Sequence, residues 1–253
     1  MRHTSTSDFR GSLYPGYFPP GVKWLLISNT AVWLIYFFAA RSPFGLLFQP
    51  LKLVPHDVVH SLAIWQLVTY MFLHDPFGFG HILFNMLTLW MFGADLERTL
   101  GTRQFLRYYF LCGIGAGICV VAANAAVGNM DRATIGASGA IYGLLLAFGL
   151  LFPDTVVLFS FLFPMKAKYF VMILGAIAFL SSLGSGNSNV SNVAHLGGMI
   201  FGYIYLKSRL GRVRINLTGS LSERYREWKL ARAKKKFQVY LNRNRHDHDR
   251  WVN

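Results

Sequence analysis

Charge is scarce in this chain. Asp, Glu, Lys and Arg make up 14% of its 253 residues, where a soluble globular domain carries about 25%. Only 11 residues are acidic. That shortage argues against an ordinary water-soluble fold, whose surface needs more solvated groups than this. Cysteine is almost absent, with Cys112 and Cys119 alone. Seven positions apart in one apolar helix, their Cα atoms would sit about 10 Å from each other, too far for a disulfide. They read as small core residues and say nothing about the redox compartment. No group of His, Cys and acidic residues has metal-ligand spacing, so neither a metal nor another cofactor is implied. The polar, Pro/Gly-rich start "MRHTSTSDFRGSLYPGYFPPG" has no short apolar segment ending in a cleavage site. No removable signal peptide is expected.

Apolar sequence takes the place of charge: 53% of the residues are hydrophobic. Six apolar segments, near 24–40, 81–96, 108–127, 135–152, 169–184 and 190–206, each approach the roughly 17–25 residues that span a bilayer. The fold class implied is an all-α membrane protein, a bundle of six transmembrane helices. The predicted organisation is an N-terminal segment 1–22, a six-span domain 23–210 and a basic tail 211–253. The connection 41–80 contains "FGLLFQPLKLV" and "IWQLVTYMFL", apolar runs broken by polar residues. Such runs lie in the interface or fold back into the protein.

The net charge is +14, and Lys207 to Arg250 holds 14 of the 25 Lys and Arg residues. The tail therefore suits the anionic headgroups of a lipid bilayer, and no nucleic-acid partner is expected. The same residues orient the chain. With both termini in the cytoplasm, 22 of the 25 basic residues fall inside and only Arg41, Lys52 and Arg132 outside. A seventh span would strand the tail outside.

Polar residues at membrane depth are costly and tend to mark a site. In this topology the second, fourth and sixth spans run the same way, and their outer ends carry His81 and Asn85, Ser138, and His195 respectively. His81 and Asn85 are i and i+4, on one helix face, as are Ser138 and Tyr142. Gly136 and Gly139 keep the surroundings of Ser138 small. Gly198 and Gly202 follow His195 at a spacing that lets another helix approach closely. If that helix is the fourth, Ser138 meets His195 as nucleophile meets general base in acyl transfer. His81, Asn85 and the Ser138 backbone N–H would then face the oxyanion, and Tyr142 would hold the His195 ring by packing. No acid is placed to complete a triad. Asp154 lies roughly 24 Å away at the far end of the fourth helix, Asp95 and Glu97 sit at the inner end of the second, and Asp131 is in a loop.

These motifs, in order, resemble those of the rhomboid intramembrane serine proteases. The family patterns HxxxN, GxSG and AHxxGxxxG read here as His81-Ile-Leu-Phe-Asn85, Gly136-Ala-Ser138-Gly139 and Ala194-His195-Leu-Gly-Gly198-Met-Ile-Phe-Gly202. The resemblance covers about 20–210. It implies a serine endopeptidase with nucleophile Ser138, base His195, oxyanion groups His81 and Asn85, and Tyr142 stacked on His195. Its substrates would be single-span membrane proteins, and 41–80 would be a membrane-embedded first loop. Family members often carry Trp-Arg in that loop, where this chain has Trp65-Gln66. The compact six-span form points to a bacterial inner membrane.

Each feature alone has a plainer meaning. A GASGA patch ordinarily packs helices, a lone intramembrane Asn is interhelical glue, and His74, in "FLHDP", reads as a structural loop histidine. What favours a site is their convergence on one depth of one face. Two other classes are compatible with the composition. A catalytically silent rhomboid-like protein that binds membrane clients usually lacks the serine or the histidine, and both are here. A transporter with a midplane site would place charge mid-span, and none is there.

Overall fold

The computed structural model describes residues 18–159, 163–183 and 189–209, together with Lys229. All of these except Lys229 belong to one unit, Met1–Arg209. The expectations for the basic tail and for residues 1–17 lie outside the described residues.

The unit is mostly helical. Helix α1 spans Pro20–Ala39, followed by a 3-10 helix Pro43–Leu51 and the short helices α2 (Pro55–His60) and α3 (Gln66–Thr69). Then come α4 (Phe79–Leu100), α5 (Thr102–Val127) and α6 (Ser138–Leu151), an antiparallel hairpin of β1 (Val156–Phe159) and β2 (Phe163–Lys166), α7 (Ala167–Leu183) and α8 (Asn189–Arg209). Proline opens α1 and α2, where its missing N–H costs nothing. Gly128, left-handed at φ 74°, ends α5 as a C-terminal cap that a Cβ would disfavour.

Each of the six predicted apolar segments overlaps a different helix among the described residues. By length and apolarity, α1 and α5 can cross a membrane, while α6 and the Ala167–Ser182 part of α7 are shorter apolar helices. Helices α4 and α8 are long enough but polar at their ends: Asp95, Glu97 and Arg98 close α4, and α8 runs from Asn189 to Lys207 and Arg209. Large apolar side chains point outward on several helices, with Phe38, Met172 and Leu180 each about two-thirds exposed. Such a surface belongs against hydrocarbon rather than water.

The core that positions the site is α5, α6 and α8. Tyr108 of α5 is fully buried and its hydroxyl donates to the Gly143 carbonyl of α6 at 2.7 Å. Helix α8 lies so close to α6 that a Cβ on Gly198 would overlap the Gly139 carbonyl oxygen. Gly202, four residues on, meets Tyr108 and Cys112 of α5 instead. The small-residue spacing therefore serves two neighbours, where the sequence suggested α6 alone. Cys112 and Cys119 are free thiols, and both abut glycines: Cys112 at Gly143 and Cys119 at Gly197.

The connection 41–80 is pinned to the segment ahead of Ser138. Leu53 and Thr134 exchange backbone hydrogen bonds at 3.0 and 2.8 Å, and the Gly136 N–H donates to Tyr70 O at 2.9 Å. Buried Gln66 braces the connection from within. Its Oε1 accepts from the Val54 N–H at 2.8 Å, and its Nε2 donates to Asp57 Oδ2 at 3.2 Å. Trp65 Nε1 donates to Pro50 O at 3.0 Å. At the other end of α6, Lys166 and Lys168 both reach Asp154 Oδ1 at 2.9 Å. Those hydrogen bonds hold the Asp154 carboxyl down to about 2 and engage it far from Ser138.

Glu97 accepts three hydrogen bonds away from the site. Buried at the end of α4, it accepts from the Gly21 and Val22 N–H groups at 2.8 and 2.7 Å and from Thr102 Oγ1 at 2.7 Å. It thus caps the N-terminus of α1, where a negative charge also suits the helix dipole. Replacing it by Ala strands three donors, each costing about 1–3 kcal/mol if left unsatisfied. Thermal unfolding in detergent should show Glu97→Ala markedly destabilised, with Glu97→Gln intermediate. An unchanged Tm for the alanine variant would show that water serves this end equally well.

Candidate active site

Three helix N-termini converge. His81 and Asn85 lie in the first two turns of α4, Ser138 is the first residue of α6, and His195 is in the second turn of α8. Ser138 and His195, fifty-seven positions apart in sequence, meet with His195 Nε2 3.0 Å from Ser138 Oγ. The approach depends on the backbone contact of α6 with α8 at Gly139 and Gly198. Tyr142, one turn after Ser138, stacks flat on the imidazole, with centroids 3.9 Å apart and planes within 4°. Among the described residues nothing hydrogen-bonds the buried His195 Nδ1, and Asp131 is exposed in the loop between α5 and α6.

His81 stands over the turn that delivers Ser138. Gly136 has φ +119°, a conformation side chains rarely adopt. A Cβ there would also come within 2.8 Å of His81 Nε2. Glycine is therefore required twice over: by the backbone and by the imidazole beside it. The other nitrogen, His81 Nδ1, accepts the Asp75 backbone N–H at 3.3 Å, so the ring proton sits on Nε2, facing the Gly136–Ser138 backbone. Asn85, buried, donates one amide hydrogen to His81 O at 2.7 Å and retains a second. A cavity of about 550 Å³ links these groups, bounded by α4, α6 and Phe170 and Leu174 of α7. Its lining is largely apolar with a few polar groups among it, the pattern of a ligand-binding site.

Sequence reasoning missed the support of this site. His74 is fully buried, its ring edge-on to His81 at 5.0 Å between centroids. Only its nearness in sequence to His81 hinted at that contact. Gln66 showed itself as a departure from a family pattern, and its bracing role needs the tertiary structure to be seen.

Comparison with known proteins supplies the context. A family model described as the Rhomboid domain matches residues 61–211. The chain is 32% identical over 195 residues to the putative rhomboid protease YdcA of Bacillus subtilis, covering 73% of this chain and 86% of that protein. It is 34% identical over 139 residues to rhomboid protease GluP of the same organism, covering 55% of this chain and 25% of GluP. Rhomboid protein 1, mitochondrial, of Saccharomyces cerevisiae is 34% identical over 135 residues, half of this chain and 37% of the yeast protein. A family model that takes in more than half the chain, and a bacterial relative matched over most of its length, lead to one conclusion: the chain belongs to the rhomboid family and is an integral membrane protein.

Proposed function

We propose that this protein is an intramembrane serine endopeptidase that cuts single-span membrane proteins with a Ser138–His195 dyad. The observation that carries the reading is the 3.0 Å approach of His195 Nε2 to Ser138 Oγ. As an acceptor, Nε2 is unprotonated, and the ring proton is on Nδ1. Nε2 takes the hydroxyl proton as Oγ attacks the scissile carbonyl. The imidazolium then gives that proton to the leaving amine, and water repeats the sequence on the acyl-enzyme. Tyr142 fixes the ring plane, a task that an acid performs in triads. The oxyanion would meet the Ser138 N–H, His81 Nε2–H and the second amide hydrogen of Asn85, all preorganised before charge develops.

The reading places six spans, α1 and α4 to α8, in a bacterial plasma membrane with both termini in the cytoplasm. The charge distribution supports that orientation, and the names of the bacterial relatives support proteolysis. The substrate helix must unwind locally to present a peptide bond, so helix-breaking residues near the cut are expected. The domain limits 23–210 and 211–253 form part of the same proposal, with the tail against anionic headgroups.

Three experiments test it. A fluorophosphonate probe should label the detergent-purified chain at Ser138, and proteoliposomes should cut a model single-span substrate. Substrate binding without labelling or cleavage would instead identify a client-binding protein. Reporter fusions at Asn253 and in the loop Gly128–Thr134 should report cytoplasmic and external positions respectively. An external Asn253 would move every site residue to the cytoplasmic face.

A further inference from the structure

A second concavity lies away from Ser138 and shares no lining residue with its cavity. It is a groove of about 740 Å³ between α5 and α8. Leu106, Phe110, Ile114 and Ile118 line it along α5, and Phe201 and Tyr205 along α8. Arg103 and Arg107 stand at one end. Both are exposed, and neither forms an ion pair among the described residues. From Arg107 to Ile118 the helix rises about 16 Å, close to half of a hydrocarbon core about 30 Å thick. With the guanidinium groups among the headgroups of one leaflet, the groove ends near the bilayer midplane.

We propose that this groove binds one anionic phospholipid, its phosphate held by Arg103 and Arg107 and its acyl chains laid along α5 and α8. Charge selects the occupant: the two guanidiniums at the end of the groove call for an anionic group, which the apolar face of a transmembrane helix does not offer. Charge decides against the chain's own tail. Residues 210–253 carry twelve Lys and Arg against four acidic residues, the same sign as the groove's mouth. Two guanidiniums match a phosphate in geometry as well as charge. A headgroup without a compensating amine is the one whose net charge they attract.

The proposal needs the chain to be in a bilayer and does not depend on peptide-bond cleavage. Its test is retention of phosphatidylglycerol by the full-length, detergent-purified protein in native mass spectrometry, with phosphatidylcholine as control. Wild type should retain phosphatidylglycerol in preference to phosphatidylcholine. The double variant R103Q/R107Q should hold it about 30-fold more weakly, since each basic residue near a headgroup contributes about 1 kcal/mol. R103K/R107K should keep most of the affinity, and Ile114→Trp should lose it by filling the groove with both charges intact. A phosphatidylglycerol carrying a photoreactive acyl chain should cross-link between Leu106 and Ile118. Equal retention by wild type and R103Q/R107Q would overturn the proposal, as would equal retention of the two lipids or cross-linking confined to residues outside α5 and α8. None of these readouts involves hydrolysis, so their failure leaves the protease reading standing.

Discussion

Ser138→Ala and His195→Ala should each lower the rate of substrate cleavage by roughly 10⁴-fold or more, and the double variant should be no worse than either alone. A serine hydroxyl is a weak nucleophile until a base can take its proton. With the base gone, Oγ has no acceptor at 3.0 Å; with the nucleophile gone, the base has nothing to activate. On the proposed mechanism the two side chains act as one unit, so their losses should not add. Probe labelling should vanish in Ser138→Ala and fall strongly in His195→Ala. Asp131→Asn should change little, because Asp131 is exposed and no acid is assigned to the imidazole. Additive losses in the double variant would mean that the two residues act in separate steps. Lost labelling in Asp131→Asn would turn the dyad into a triad.

The second large effect concerns the oxyanion. Asn85→Ala and His81→Ala should each reduce kcat by about 10²–10³ with little change in KM, because their partner exists only in the transition state. Asn85→Asp separates shape from chemistry: it keeps the size of the side chain and, ionised, donates no hydrogen bond. It should be as slow as the alanine variant. Removing Asn85 breaks its hydrogen bond to His81 O, so a fall in Tm alone is compatible with packing. The kcat-against-KM split is not, and a change confined to KM would assign Asn85 to packing.

What was legible in the sequence was local. Within a single helix, i and i+4 fix a shared face before any tertiary contact is known, so His81 with Asn85 and Ser138 with Tyr142 could be paired directly. Polar residues in an apolar run also announce themselves. Contacts between helices follow from which small residue meets which neighbour, and there the reading was coarser. Gly198 and Gly202 looked like one seam, yet the radial offset around α8 sends the first to α6 and the second to α5. Glu97 looked like an ordinary charge at a helix end, because two of its three partners are backbone groups 75 and 76 positions away that carry no sequence signature. The bracing by Gln66 was hidden for the same reason: Val54 contributes only its N–H.

That separation of Glu97 from its partners sets a timetable for biogenesis. Ribosomes add roughly 5–20 residues per second, so Gly21 emerges about 4–15 s before the carboxylate that will cap it. During that interval the leading N–H groups of α1 have no protein acceptor and would be costly in hydrocarbon. On the six-span reading they would rest in water or among headgroups until α4 is complete, which would hold the first helix in register with the membrane surface while the rest of the chain is still being made.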